Sequence, residues 1–409
     1  MRIAYLALAA AMLSGAQASA ATFTTLHKFC SKVPCEDGAG PLESPLISDG
    51  AGGFYGTTQN FGGQNGGTLY LIAADGKFKK LFDFPAIASP RGPLLRDTSD
   101  NLYGIESNGN SGSGGIFRLH PNAKRTKWSF EQIYSFCAEG GNCADGNVPV
   151  ELTYEGAASG VPYDGISPLY GSTQFGGTSG NGAIFQLTPK RGGWGEKVVY
   201  SFCAQTNCAD GQWPAYALFF GAGAKLYGVT TAGGTAGLGT VFALTPNAKR
   251  SKWTEAVVYS FCAQESCTDG NQPSGLTMDG NGNLVGTASA GGDAQLGTLF
   301  RITPGGQFTR LYSFCAQPNC ADGSGPLASP TVGADGTIYG VTSLDPRVYA
   351  FNPQSSTYSV LHTFCTDQKC SDGFEPLSPL TQDAGGRLLG TTAFGGTKHS
   401  GGTVFALVP

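Results

Sequence analysis

Short apolar segments recur along the chain in a fixed order. One segment ends in Phe, as at 258–261, a second contains Tyr-Gly, as at 226–230, and a third reads Thr-Val-Phe-Ala-Leu at 240–244. A fourth, such as 273–278, lies between the Phe-ended and Tyr-Gly segments. Each segment has four to six residues, is rich in Val, Ile, Leu, Tyr and Phe, and is bounded by Gly, Asp, Asn or Pro. These features predict β-strands.

The four segments form a unit that occurs seven times. The Phe that ends the first segment recurs with a mean period of about 56 residues, at Phe29, Phe84, Phe136, Phe202, Phe261, Phe314 and Phe364. Seven units of four strands predict an all-β fold, a seven-bladed β-propeller with four antiparallel strands per blade. The segment at 240–244 has apolar side chains on both of its faces. A blade packed between two neighbouring blades requires this pattern.

The order of segments at the two ends of the chain predicts how the ring closes. We name the strands of a unit A (before Tyr-Gly), B (Tyr-Gly), C (the third segment) and D (Phe-ended). The chain begins with a lone D segment at Leu26–Phe29 and finishes with a C segment in Thr403–Pro409. The N-terminal D strand therefore completes the last blade, which leaves no unpaired sheet edge inside that blade.

The first twenty residues predict a secretory signal peptide. Arg2 supplies a positive charge, an apolar run too short to span a bilayer follows, and Ala18-Ser19-Ala20 fits a small-x-small cleavage site. We expect cleavage after Ala20, a single propeller domain at 21–409, and a secreted protein, either extracellular or periplasmic. No later run of apolar residues is long enough to predict a membrane span.

Twelve cysteines follow the D segments in pairs, with the pattern Cys-x4-Cys-x-Asp-Gly in most units. An even cysteine count in an exported chain predicts disulfides. One unit carries Pro85–Pro90 at this place and lacks both cysteines, so we expect each bridge to lie within its own loop. The predicted bridges are Cys30–Cys35, Cys137–Cys143, Cys203–Cys208, Cys262–Cys267, Cys315–Cys320 and Cys365–Cys370.

An aspartate follows the second cysteine of each pair at a fixed offset. The six are Asp37, Asp145, Asp210, Asp269, Asp322 and Asp372. One interpretation is a turn, in which Asp binds nearby backbone and the following Gly takes a positive φ. The other is a ring of carboxylates that binds calcium or a cationic ligand. The turn is favoured, because no unit has the dense carboxylate pattern of a calcium loop; we predict no metal and no cofactor.

Two acidic residues interrupt the repeat and are the candidate catalytic groups. Glu106 stands where other units have Thr or a small residue, and Asp345 lies in a shortened loop of the sixth unit. If both lined the mouth of the central channel, they could act as the acid and base of glycoside hydrolysis. The chain has no G-x-S-x-G, H-E-x-x-H or phosphate-binding motif.

The combined pattern resembles the bacterial GloVer, or "choice-of-anchor", tandem-repeat family. Leu226–Pro246 carries it: Leu-Tyr-Gly-Val-Thr, a Gly-Gly loop, then Gly-Thr-Val-Phe-Ala-Leu-Thr-Pro. The resemblance covers essentially the whole mature chain and implies a propeller without assigning a biochemical role. The cysteine loop and the missing C-terminal anchor are departures from the family pattern.

Charge and composition narrow the set of partners. The net charge is −4 and no basic run occurs, so nucleic acid and anionic membranes are poor partners. The leading hypothesis is a monomeric binding or interaction module for an extracellular glycan or protein. The alternatives are a secreted hydrolase or lyase acting at the channel mouth and a passive cell-envelope protein.

Overall fold

The computed structural model describes residues 21–409, so the predicted signal peptide lies outside the described residues. This part of the chain forms seven four-stranded antiparallel sheets arranged as the blades of a ring, which confirms the predicted fold. Its few helical turns are three residues long, and none has the length and hydropathy needed to cross a bilayer.

Blades 1 to 7 each contain strands A to D from the channel outwards. Blade 1 is β2 (Ile47–Ser48), β3 (Phe54–Thr58), β4 (Thr68–Ile72) and β5 (Phe78–Asp83); blade 2 is β6 (Pro90–Arg96), β7 (Leu102–Glu106), β8 (Gly115–Pro121) and β9 (Trp128–Ser135); blade 3 is β10 (Asn147–Tyr154), β11 (Leu169–Phe175), β12 (Ala183–Lys190) and β13 (Gly193–Ser201). Blade 4 is β14 (Gln212–Phe220), β15 (Leu226–Ala232), β16 (Thr240–Pro246) and β17 (Trp253–Ser260); blade 5 is β18 (Asn271–Met278), β19 (Leu284–Ala290), β20 (Thr298–Ile302) and β21 (Phe308–Ser313); blade 6 is β22 (Thr331–Val332), β23 (Ile338–Thr342), β24 (Arg347–Asn352) and β25 (Thr357–Thr363); blade 7 is β26 (Thr381–Gln382), β27 (Leu388–Thr392), β28 (Thr403–Val408) and β1 (Thr22–Lys28).

Blade 7 joins the two ends of the chain, as the sequence predicts. Strand β1 pairs antiparallel with β28, from Thr22 opposite Val408 to Lys28 opposite Thr403. Phe23 of β1 stacks on His362 of blade 6 with ring centroids 3.7 Å apart, and it also contacts Phe405 of its own blade. The N-terminal strand therefore contributes both backbone pairing and core packing at the seam.

The same aromatic contact occurs at all seven interfaces between blades. The Phe that ends each D strand packs against the aromatic residue of the C strand in the next blade, with ring centroids 4.9–5.3 Å apart. The Gly of each Tyr-Gly segment makes room for this ring: a Cβ on Gly228 would lie 2.5 Å from Phe242. The Phe and Gly positions of the repeat thus form one packing unit, repeated at every interface.

Candidate functional site

The loops that follow the D strands lie on one face of the ring, together with the loops between strands B and C. Backbone hydrogen bonds join the two sets, for example from Gly234 N–H to the Cys208 carbonyl at 2.9 Å and from Gly292 N–H to the Cys267 carbonyl at 3.0 Å. We call this side of the molecule the loop face. Six disulfides lie on it, each within one loop and between cysteines five or six positions apart.

The aspartate of each cysteine loop is bound by the loop itself. Asp269 is fully buried and accepts hydrogen bonds from the Tyr259 hydroxyl at 2.7 Å and from the N–H groups of Ala263 and Gln264 at 3.0 and 3.3 Å. Asp210 and Asp322 repeat this arrangement. These contacts agree with the turn interpretation, because the carboxylate oxygens are used within the loop.

The three remaining aspartates follow the same scheme with small changes. Asp145 accepts from the Tyr134 hydroxyl and the Cys137 N–H at 2.9 and 3.0 Å. Asp37 and Asp372 each lie 2.9 Å from a histidine Nε2, that of His27 or His362 in strand D. Within residues 21–409, the structure brings no three metal-ligating side chains into one cluster.

All twelve cysteines have a positive φ, between 45° and 61°. This left-handed backbone is unfavourable for residues with a side chain, so the loop depends on contacts that hold it in place. The disulfide and the buried aspartate are those contacts.

Replacing Asp269 with Asn tests this role. Asp269→Asn turns one acceptor oxygen into a donor that faces other donors, and we expect it to lower the free energy of unfolding by about 2 kcal/mol. Asp293→Asn is the matched control, because Asp293 is exposed and forms a surface ion pair with Arg310. Chemical denaturation of both variants measures the difference, and equal stabilities would contradict the assignment.

Blade 2 shows how the fold adapts when the cysteine loop is absent. The loop at 85–90, which leads into blade 2, follows strand β5 of blade 1. This strand has Phe82 at the position where the other D strands have the Tyr or His that bonds to the loop aspartate. Since Phe has no polar group, it needs no aspartate partner. In other blades the Gly after the loop aspartate lies against the start of strand C and the end of strand B; a Cβ on Gly211, for example, would lie 2.5 Å from Thr230. Blade 2 fills the equivalent space with Glu106.

Glu106 is fully buried and lies against strand β9 of its own blade, so its role as a catalytic group at the channel mouth stays a prediction. Its Oε1 accepts a hydrogen bond from Gln132 Nε2 of strand β9, while Oε2 has no hydrogen-bond partner in the described residues. Gly115 leaves the space for this side chain, since a Cβ there would lie 2.6 Å from Glu106 Oε1. Burial raises the pKa of Glu106 to about 7. Burial therefore favours the protonated carboxyl, and the hydrogen bond from Gln132 opposes it only in part.

Asp345 is held in the B–C loop of blade 6. Ser324 Oγ donates to its Oδ2 at 2.6 Å, and its carbonyl accepts from the Thr342 hydroxyl at 2.6 Å. Blades 2 and 6 are three steps apart around the seven-membered ring, on nearly opposite sides. Neither residue is among those that line the channel cavity described below, so the geometry lends no support to their predicted role as the carboxylate pair of glycoside hydrolysis.

A cavity of about 450 Å³ lies at the loop-face end of the central channel, where strands A begin and strands B end. Pro, Leu and Ala side chains form much of its wall, and Gln, Ser, Thr and two Glu side chains supply polar groups. It is lined by Glu43, Pro45, Pro93, Glu151, Ala215, Thr231, Gln272, Ser274, Ser289, Leu327, Ala328, Ser329, Leu377 and Pro379. This volume, and this combination of apolar wall with a few polar side chains, are typical of sites that bind small ligands.

The two glutamates of the cavity have different surroundings. Glu43 of blade 1 forms a salt bridge with Arg91 of blade 2, whose Nε lies 3.1 Å from Glu43 Oε2. Glu151 of blade 3 accepts one hydrogen bond, from the Leu152 N–H at 3.3 Å, and pairs with no cation among the described residues. Burial deep in the channel raises the pKa of Glu151 to about 8.

The sequence analysis missed both glutamates, although the repeat contains a signal for them. Glu43 stands where blades 6 and 7 have Leu327 and Leu377, and Glu151 precedes the A-strand Leu where other blades have small or apolar residues. A position-by-position comparison of the A strands shows Glu43 and Glu151 as acidic residues at positions where these blades have uncharged ones.

Exposed apolar side chains add to the loop face. Phe61, Phe175 and Phe394 occupy the same position, directly before the Gly-Gly of a B–C loop, and each is about 40% exposed. Trp213 packs edge-to-face on Phe175, with ring centroids 6.3 Å apart. The three Phe belong to separate blades, so the Phe175–Trp213 pair is the one place where we observe two of these exposed aromatic side chains in contact.

Taken together, these observations define a seven-bladed β-propeller with six disulfides and a cavity of about 450 Å³ in its channel. The sequence model of the Gloeobacter/Verrucomicrobia repeat matches residues 12–167 and 158–347. The chain belongs to this family, which confirms the resemblance seen in the sequence.

Solved structures with the same fold are distant in sequence. A streptogramin B lyase is 16% identical over 95% of this chain and 97% of its own, with a TM-score of 0.58. An extracellular domain from B. thetaiotaomicron is 12% identical over 93% of this chain and 39% of its own, with a TM-score of 0.54. A puromycin hydrolase is 11% identical over 87% of this chain and 50% of its own, with a TM-score of 0.54. No curated protein sequence matches the chain significantly. At these identities the likeness concerns the fold alone.

Proposed function

We propose that this protein is a binding module that holds part of an extracellular glycan or protein in the channel cavity. The observation that carries the proposal is the cavity itself, because it combines an apolar wall with a few polar groups that converge from different blades. Exposed aromatic side chains lie on the same loop face as the cavity, and we propose that a larger ligand contacts them as well.

We also propose that the protein works outside the cytoplasm, in the periplasm or the extracellular space. Six disulfides support this location, because such bonds persist in oxidising compartments. Removal of residues 1–20 on export is part of the same proposal.

A hydrolase or lyase acting in the channel is the second candidate. Glu151 favours it, since a carboxyl with a pKa of about 8 inside a cavity can donate a proton near neutral pH. The candidate is the weaker one, because Glu43, the other carboxyl among the described residues that line the cavity, is held in a salt bridge with Arg91. A passive envelope protein without a ligand is the third reading.

Blocking the cavity tests the binding proposal. We expect wild-type protein to retain one class of ligand on glycan and peptide arrays, and Leu327→Trp to weaken that binding at least tenfold by filling the mouth. Leu344→Trp is the control: Leu344 is also exposed on the loop face but does not line the cavity.

The outcomes separate the three readings. Equal loss of binding in both variants would contradict a cavity site. Retention of no ligand would favour the passive role, and release of cleaved products from a retained ligand, abolished by Glu151→Gln, would favour the enzyme.

A further inference from the structure

The walls of the cavity differ in charge, and this difference limits which chemical groups a ligand can place against each wall. On one side, the charge of Glu43 is already balanced by Arg91. Glu151 lines the same cavity and forms no ion pair within the part of the chain that the structure describes, while Leu327, Leu377 and Ala328 form apolar wall from blades 6 and 7. Blade 3 and blades 6 and 7 lie across the ring from one another. A ligand that satisfies both sides has one cationic group and an uncharged body.

We propose that the channel ligand carries an ammonium group that pairs with the Glu151 carboxylate while its uncharged body packs against blades 6 and 7. This inference rests on the proposed binding function and names the chemistry of its ligand. An ammonium ion has three donors, and the partly exposed Glu151 carboxylate accepts a single hydrogen bond from the described residues, which leaves acceptor positions for such a ligand. Glu43, the other charged side chain among the described residues that line the cavity, already forms a salt bridge with Arg91, so Glu151 is the carboxyl left to pair with a ligand cation.

The pairing has a proton balance that can be measured. Free Glu151 has a pKa of about 8, so at pH 7 it is about 90% protonated. A bound cation stabilises the carboxylate, and binding releases the proton to the solvent. Affinity for a permanently charged cation therefore rises about tenfold per unit of pH below 8 and becomes constant above it.

Three probes with the same body test the inference: 4-phenylbutylamine, which is cationic, 4-phenylbutan-1-ol, which is neutral, and 4-phenylbutyrate, which is anionic. We expect calorimetry at pH 8 to show the amine binding at least tenfold more tightly than the alcohol, with the anion weakest. At pH 7, buffers of different ionisation enthalpy should reveal release of about 0.9 proton per amine bound. Glu151→Gln should abolish the preference for the amine and the proton release, while Glu265→Gln, at an exposed loop position, should keep both.

Two further pairs distinguish the biological source of the ammonium group. Chitotriose against triacetylchitotriose reports an amino sugar, and a lysine peptide against its acetyl-lysine form reports a protein side chain. A preference for the amine that survives in Glu151→Gln, or equal binding of amine and alcohol, would overturn the inference and leave the binding function intact. Failure of every probe and of the arrays would reject the binding function itself.

Discussion

Deleting Thr22–Lys28 is expected to abolish cooperative folding of the propeller at 37 °C. This strand supplies the fourth strand of blade 7, with register from Thr22 to Lys28 along β28. Its Phe23 lies in an aromatic cluster with His362, Phe364 and Phe405. Loss of a fully buried Phe side chain costs about 3–5 kcal/mol; the partly buried Phe23 contributes a share of that, and loss of the whole β1–β28 hydrogen-bond ladder adds to it. The total is comparable with the whole net stability of a domain, about 5–15 kcal/mol.

Thermal unfolding followed by circular dichroism measures this effect, and a circular permutant is its control. The permutant joins residue 409 to residue 21 through a short Gly-Ser linker and opens the chain between Gly192 and Gly193, two exposed residues where the β12–β13 turn meets the start of β13. Because it keeps all four strands of blade 7, it should melt within a few degrees of the wild type. A truncated chain as stable as the permutant would show that the ring does not need this strand.

Glu106→Gln is expected to stabilise the protein in alkaline solution and to change little in acid. The pKa of Glu106 is about 7 in the folded chain and 4.5 as its ordinary value, so the folded state holds the proton more tightly than the unfolded state. The stability that this group contributes is therefore lost as pH rises from 4.5 to 7, and above pH 7 the penalty is about 3 kcal/mol. Gln carries no charge at any pH, and its oxygen can still accept from Gln132.

Denaturant unfolding at pH 4.5 and pH 8 provides the measurement. The Gln variant should exceed the wild type by about 3 kcal/mol at pH 8 and match it at pH 4.5. Glu36→Gln, which alters an exposed glutamate, should show no such difference between the two pH values. A gain of equal size at both pH values would mean that packing, not ionisation, causes the effect.

Much of the fold follows from short-range sequence features that repeat. The Phe at the end of strand D and the Gly of Tyr-Gly recur because the same interface is built seven times, with rings about 5 Å apart at each. The seam was predictable because strand order, unlike a single contact, is visible in the sequence: a lone D strand at one end matches a missing D strand at the other. The loss of both cysteines from one loop likewise predicted disulfides within loops.

The candidate site was predictable only in part. Glu106 was recognised as an exception to the repeat, but the sequence could not tell whether it faces the channel or the adjacent strands. Its burial depends on Gly115 and Gln132, which lie on two other strands of blade 2. Glu43 and Glu151 were overlooked because the A strands differ in length and contain register shifts, such as the one between Pro149 and Glu151.

The sequence by itself determined the number of blades, the order of the strands, the closure of the ring and the local disulfides. Each of these depends on residues close in the chain or on a pattern that repeats along it. Only the tertiary structure decided which carboxyl groups reach the channel. That choice depends on side-chain direction and on contacts between strands and blades: Arg91 of blade 2 neutralises Glu43 of blade 1, whereas Glu151 of blade 3 has no cation beside it among the described residues.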